Sequence, residues 1–272
     1  MMRLCCLSLS YARQFEAGTM DIFKFLDTCR ALDLDGVSVH IRNLHGTDKP
    51  HLKEVRRRCL DLGLTMACFC VSTNFGGPEE GHPAEIAKAR EAMEVGLFLG
   101  APLLRVFVGG VPEGGDYEQS FQRGVRGLRK TAELGAELGM PVALQNHSGL
   151  TSTGDEMVRF YNEIQHPNFT LLLDTGHFAG RKGPNGPVIE GLDYEDYYDS
   201  IAKVAPLTQF VRAKLYDLDA DGRSKWMDYD RIFNTLRGVH FNGFISLVYE
   251  GKEDQFTAIP RGNRFLRTFL TP

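Results

Sequence analysis

Eight short apolar runs rich in β-branched residues alternate with eight longer stretches of helical period, and this end-to-end alternation constrains the fold more than any other feature. The strand-like runs are 3–9, 35–41, 64–71, 103–108, 141–146, 169–174, 208–216 and 243–250. The helical stretches are 20–33, 49–62, 83–99, 116–139, 154–165, 193–204, 228–238 and 255–270. In the first helix Ile22, Phe25, Leu26, Cys29 and Leu32 recur at spacings that make one apolar stripe, with Thr19 as the expected N-cap. Gly36, Gly63, Gly100, Gly139 and Gly243 each fall between a helix and the next strand, where a left-handed residue ends a helix at little steric cost.

Eight β-then-α units in 272 residues match the count and size of a (β/α)8 TIM barrel, an α/β fold. An open doubly wound sheet would normally carry a glycine-rich phosphate turn after its first strand, and the segment LSLSYARQF at 7–15 has none. No Pro/Ser-rich linker or run of charge divides the chain, so residues 1–272 are expected to form a single domain.

Composition removes several classes of partner. With a net charge of −4 and Lys and Arg spread along the chain, a nucleic-acid backbone is not expected as a ligand. No apolar run approaches the roughly 18 residues of a spanning helix, and the start MMRLCCLSLS turns polar too soon for a signal peptide, so no membrane contact and a cytoplasmic location are expected. Cys5, Cys6, Cys29, Cys59, Cys68 and Cys70 match no zinc-binding spacing and read as small buried residues.

The chemistry gathers at strand ends. Side chains alternate along a strand, so Ala143, Gln145 and His147 share one face, as do Leu172 and Asp174, then Arg212, Lys214 and Tyr216, then Ser246, Val248 and Glu250. Pointed inward, these faces converge at the carboxyl-end mouth, where barrels of this kind hold their ligands. A cluster of Gln, Asp, Arg, Lys, His and Glu suits a ligand-binding mouth better than a plain core. His40, on the polar side of DGVSVHI, is a further candidate for the same rim.

The segments LQNHSG, LDTGHF, VRAKLYDLDADGRSKWMDY and ISLVYEG resemble the sugar phosphate isomerase/epimerase family, the xylose isomerase-like barrels, most strongly over 140–251. The resemblance implies a divalent cation held by a Glu, an Asp, a His and a Glu on the last four strands, with the two Glu residues moving a proton beside a sugar carbonyl. On the matching positions this chain has Gln145, Asp174, Arg212 and Val248, so Asp174 is the only retained ligand and His177 matches a substrate-side His. Gln is a weak neutral ligand, Val is none, and Arg has no lone pair to donate. No cofactor is therefore expected, although weak binding of Mn, Mg or Zn stays open.

Arg212 either takes the space of the lost cation, pairs with Asp174 and offers donors to a ligand, or forms with Asp174 a purely structural ion pair. His147 and His177 are the proton-transfer candidates. Glu250 is a candidate relocated base, although it stands about 6.5 Å beyond Val248 along the strand. Lys214 is read as holding an anionic group, the alternative being a pair with a neighbouring acid. The run Asp217-x-Asp219-x-Asp221-Gly222 with Asp228 has calcium-loop spacing, but it follows a strand, so a polar turn is expected. The Gly- and Pro-rich loops at 74–83, 108–117 and 179–187 are expected to cover the mouth. Endonuclease IV-type DNA repair barrels, which need a zinc cluster and a basic surface, are excluded. The expected ligand is a small sugar, polyol or hydroxy acid, acted on by an isomerase or epimerase relative, or bound by a catalytically silent barrel or partner subunit. A homo-oligomer is compatible with either.

Overall fold

The computed structural model describes residues 1–184 and 187–270. Eight parallel strands close into a barrel in sequential order. They are β1 (Arg3–Leu7), β2 (Gly36–His40), β3 (Thr65–Cys70), β4 (Leu104–Val106), β5 (Val142–Gln145), β6 (Phe169–Asp174), β7 (Thr208–Leu215) and β8 (Phe244–Tyr249). The helices are α1 (Ala12–Glu16), α2 (Ile22–Ala31), α3 (Lys49–Leu62), α4 (His82–Leu99), α5 (Tyr117–Leu138), α6 (Gly154–Ile164), α7 (Tyr194–Val204), α8 (Tyr229–Gly238) and α9 (Gln255–Arg267). The expected (β/α)8 TIM barrel is thus the observed fold.

Local chemistry fixes where helices begin and end. The side chains of Asp21, Asp48, Asp116, Thr153, Asp193, Asp228 and Asp254 each accept from backbone amides of a first helical turn. The α2 cap is therefore Asp21 and not Thr19, whose hydroxyl donates to Gln14 instead. Gly63, Gly100 and Gly139 do end their helices in the left-handed conformation. Gly36 and Gly243 do not: near them the left-handed residues are Asp33 and His240. Gly36 lies in β2, where a Cβ would come within 2.4 Å of the Thr65 carbonyl oxygen, so close strand approach is what requires it.

Two strands are shorter than the hydrophobic runs suggest. After Leu7 the chain turns away into α1, and Ser10 ties that turn to β8 by donating to Leu247 O and accepting from Tyr249 N. β4 is reduced to three residues because the chain beyond Val106 bends into the loop that meets Phe75 and Gly76. All six cysteines are free and buried, as expected. Cys5, Leu7, Cys68, Cys70, Ala143, Leu172, Phe210, Phe244 and Val248 pack together inside the barrel, which confirms the inward faces assigned by alternation.

Candidate active site

Four adjacent strands build the mouth around Asp174, which ends β6 and is fully buried. Its Oδ2 accepts from Gln145 Nε2 at 2.7 Å and its Oδ1 from the Gly176 amide at 2.8 Å. Lys214 Nζ stands 3.5 Å from that carboxylate and 2.6 Å from Glu250 Oε1, a buried ammonium between two acids. Asn146 locks the β5 and β6 ends together, accepting from the Asp174 amide at 2.6 Å and donating to its carbonyl at 2.9 Å.

His147 and His177 meet above this cluster with ring centroids 4.1 Å apart, and His177 Nε2 lies 4.0 Å from Asp174 Oδ2. Burial pushes the His177 imidazolium far down, helped by the positive charge of Lys214. Burial also lowers His147, against the opposing pull of Asp174. Both rings are therefore neutral at pH 7, each with one donor and one acceptor nitrogen.

The expected pair between Arg212 and Asp174 does not form. The two residues are register partners on β7 and β6, yet Arg212 reaches across the barrel to β3, where Nη2 donates to Cys70 Sγ at 3.0 Å. Asp174 already has Gln145, Gly176 and Lys214, and the ammonium serves two carboxylates at once. Lys214 is thus paired with neighbouring acids. His40 faces inward from the wall opposite, with Nε2 3.1 Å from Ser72 Oγ, and burial together with the Arg105 and Arg42 charges pushes it down to about 2. Val248 is buried in the apolar interior.

Several participants escape a reading of the strand ends alone. Arg105, in the middle of an apolar run, turns inward, donates Nη1 to Val71 O at 2.9 Å and stacks its guanidinium 4.1 Å from the Phe107 ring centroid. A charge at an inward position of the run 103–108 was the available signal. Cys70 lies beside Arg212, Ser38 and Cys68, and its thiol is held well below the usual range by the Cys68 hydrogen bond and the Arg212 and Arg105 charges, against burial. From the helical layer, Tyr197 donates to Thr175 O at 2.8 Å and Tyr229 to Lys214 O at 2.6 Å, buttressing the ends of β6 and β7.

The loops at the carboxyl ends interlock. Gly109 adopts φ 88° where any Cβ would strike the Asn74 side chain, and Gly76 N donates to Val108 O, so the loops after β3 and β4 pack as one layer. After β6, Arg181 Nε donates to Gly176 O at 2.9 Å and its guanidinium covers the Tyr216 ring; Asn185 and Gly186 of the expected 179–187 loop lie outside the described residues. The acidic loop after β7 is the polar turn expected: Asp217 accepts from Trp226 Nε1, Asp219 from the Asp221 and Arg223 amides, and Asp228 caps α8. Among the described residues no helix is long and apolar enough to cross a membrane.

A family model described as a xylose isomerase-like TIM barrel matches residues 26–269. An inosose dehydratase of Glaesserella parasuis serovar 5 is 25% identical over 170 residues, 55% of each chain, so the match spans little more than half the length of that curated relative. Among solved structures, a D-psicose 3-epimerase from Clostridium cellulolyticum H10 superposes with a TM-score of 0.79 at 14% identity, covering 99% of this chain and 98% of that one. A 3-keto-D-glucoside 4-epimerase from E. coli gives a TM-score of 0.76 at 16% identity over 98% of this chain and 100% of its own. At these identities the superpositions establish the shared fold.

Proposed function

The chain belongs to the xylose isomerase-like TIM barrel family, and from that premise we propose that its carboxyl-end mouth binds a small sugar, polyol or hydroxy acid and moves a proton on it, in an isomerase- or epimerase-like reaction. The residues present do not suit the divalent ion of the family's usual mechanism. Gln145 Nε2 donates directly to Asp174, a contact that two carboxylates would make only with a cation or proton between them. Among the described residues no three His, Cys, Asp or Glu side chains converge as a metal site. The chemistry falls to the chain's own groups.

The observation that carries the reading is the pair of neutral imidazoles, 4.1 Å apart, beside the buried Lys214 ammonium. A neutral imidazole nitrogen of His177 or His147 accepts the proton from a carbon next to a carbonyl. The Lys214 ammonium, fixed by Asp174 and Glu250, stabilises the negative charge that develops on the carbonyl oxygen. Glu250 serves in holding Lys214, 2.6 Å away, more directly than as a free base. A second reading, a catalytically silent ligand-binding barrel or partner subunit, draws on Gln145 and Val248 at the positions of the family's two proton-moving carboxylates.

Solvent deuterium exchange separates the two readings. Protein kept in a chelator and D2O is incubated with ketohexoses and hydroxy or keto acids, and loss of the C–H signal beside the carbonyl is followed by NMR. Exchange is expected, falling about 10²- to 10⁴-fold in His177→Gln. A compound that binds without exchanging would select the silent barrel, and exchange that appears only on adding Mn or Mg would restore the metal mechanism.

A further inference from the structure

Resting on the ligand-binding reading above and narrowing it, we propose that the mouth selects a ligand bearing a carboxylate, which Arg105 and Arg212 receive inside the barrel. Both guanidinium groups are buried, at 1% and 2% exposure, and among the described residues neither makes an ion pair with a carboxylate. Asp174 and Glu250 are taken by Lys214, so the acids nearest the mouth are committed elsewhere.

A guanidinium has five N–H donors in a planar fork. Arg105 places one hydrogen bond on Val71 O and Arg212 one on Cys70 Sγ, while among the described residues the Nε of each is buried with no acceptor. Among the described residues Gln145 Oε1 is buried and unpartnered as well, and Ser246 Oγ has no partner beyond the neighbouring Cys5 thiol, so under-used polar atoms stand on the inner faces of β4, β5, β7 and β8. A purely structural arginine would be expected to find acceptors for such donors, because each buried donor left unmet costs about 1–3 kcal/mol and more when charged. A planar carboxylate supplies two acceptor oxygens to that fork, Ser246 and the arginines being the donors it meets.

This places the acid end of the ligand toward β4 and β7 and its hydroxyl or carbonyl carbons toward Lys214 and the two imidazoles. The reactive carbon then lies next to the groups that move protons. A 2-hydroxy or 2-keto polyol acid has that spacing of functions, whereas a neutral ketohexose brings no carboxylate to the two guanidinium groups and leaves the Cys70 sulfur as the one anionic group they share among the described residues.

Calorimetric titration of the intact protein with D-gluconate, D-fructose and D-glucose 6-phosphate tests the assignment. Gluconate is expected to bind, with affinity at least about ten-fold weaker in Arg105→Met and in Arg212→Met. Arg212→Lys, which keeps the charge but not the fork, guards against a folding artefact and should lose affinity too, with its circular dichroism unchanged. Fructose binding as tightly as gluconate would overturn the carboxylate and leave the proton-moving reading standing. So would a preference for the phosphate ester. If none of the three binds, the carboxylate assignment falls while deuterium exchange still decides the proton-moving reading; if gluconate binds equally well to all variants, only the arginine assignment does.

Discussion

The floor and the mouth of this barrel are built from the same strands and obey opposite rules. At the floor the inward residues are apolar, with Phe210 stacked on Phe244 at 6.5 Å between centroids and the Arg3 guanidinium 4.1 Å over the Phe244 ring. Two and four residues further along β7 the inward positions are Arg212 and Lys214, both buried. Burial near Phe210 gains the hydrophobic and dispersion free energy of filling space. Burial of Arg212 and Lys214 incurs desolvation that only close counter-charges offset. Apolar packing and buried charge are therefore divided along the barrel axis, and the proposed ligand-binding role of the mouth predicts that stability and recognition can each be perturbed alone.

The largest effect expected from breaking that division lies at the floor. Phe210→Ala removes a ring from the stack and should cost about 3 kcal/mol, the low end for a buried Phe, because the ring already borders a cleft of about 520 Å3 lined also by Leu103 and Phe244. Urea denaturation should report the loss, while deuterium exchange per folded molecule stays at the wild-type rate. A fall in exchange comparable with that of His177→Gln would mean that floor and mouth are mechanically one unit.

The mouth is expected to respond instead to pH. His40 and His177 are held neutral by burial, so an unfolded chain takes up a proton at each below its ordinary pKa near 6.5 and the folded chain does not. The unfolded state binds more protons there, so stability rises with pH up to that point and falls on acidification. The slope is about 1.4 kcal/mol per pH unit for each histidine, or about 2 kcal/mol each by pH 5. Denaturant midpoints measured from pH 7.5 to 5 should show this slope shrinking in His40→Gln and in His177→Gln, whatever the absolute stability of the variants. An unchanged slope would place protonated imidazoles in the folded mouth.

The floor, the strand order and the inward faces were legible in the sequence because period-two alternation and the eight-fold repeat are local signals. The residues of the mouth were legible as a set for the same reason. Their partners were not. Arg212 and Asp174 stand at two of the family's ligand positions, and an arginine in the space of the lost cation suggested a pair, but the length of the side chain carries its charge across the barrel to Cys70 while the next inward cation, Lys214, takes the acid. Which of two cations wins one carboxylate depends on all its neighbours at once, here Gln145, Gly176 and Glu250. Thr19 failed as a cap for a simpler reason: Asp21, two residues on, is the stronger acceptor and fixes the first turn. Arg105 went unassigned because attention to strand ends passes over a charge in mid-strand.

The smallest effect tests what joins the mouth to the helical shell. Tyr229 on α8 donates to the Lys214 carbonyl at 2.6 Å and shares a 3.2 Å contact with Thr175 Oγ1, while Thr175 Oγ1 in turn accepts from the Lys214 amide at 2.9 Å. Lys214 is thus held by its own backbone through a helix that carries none of the groups proposed to move protons. Tyr229→Phe keeps the ring in its aromatic cluster with Phe233, Phe265 and Phe269 and deletes only the hydroxyl. The expected loss is about 1 kcal/mol of stability, the worth of one neutral hydrogen bond. Exchange should slow by less than ten-fold with ligand affinity unchanged, because the ammonium stays between Asp174 and Glu250 but loses part of its positional restraint. If stability falls by that amount while exchange is untouched, the carboxylates alone position Lys214, and the boundary between shell and mouth is sharper than the hydrogen bonds suggest.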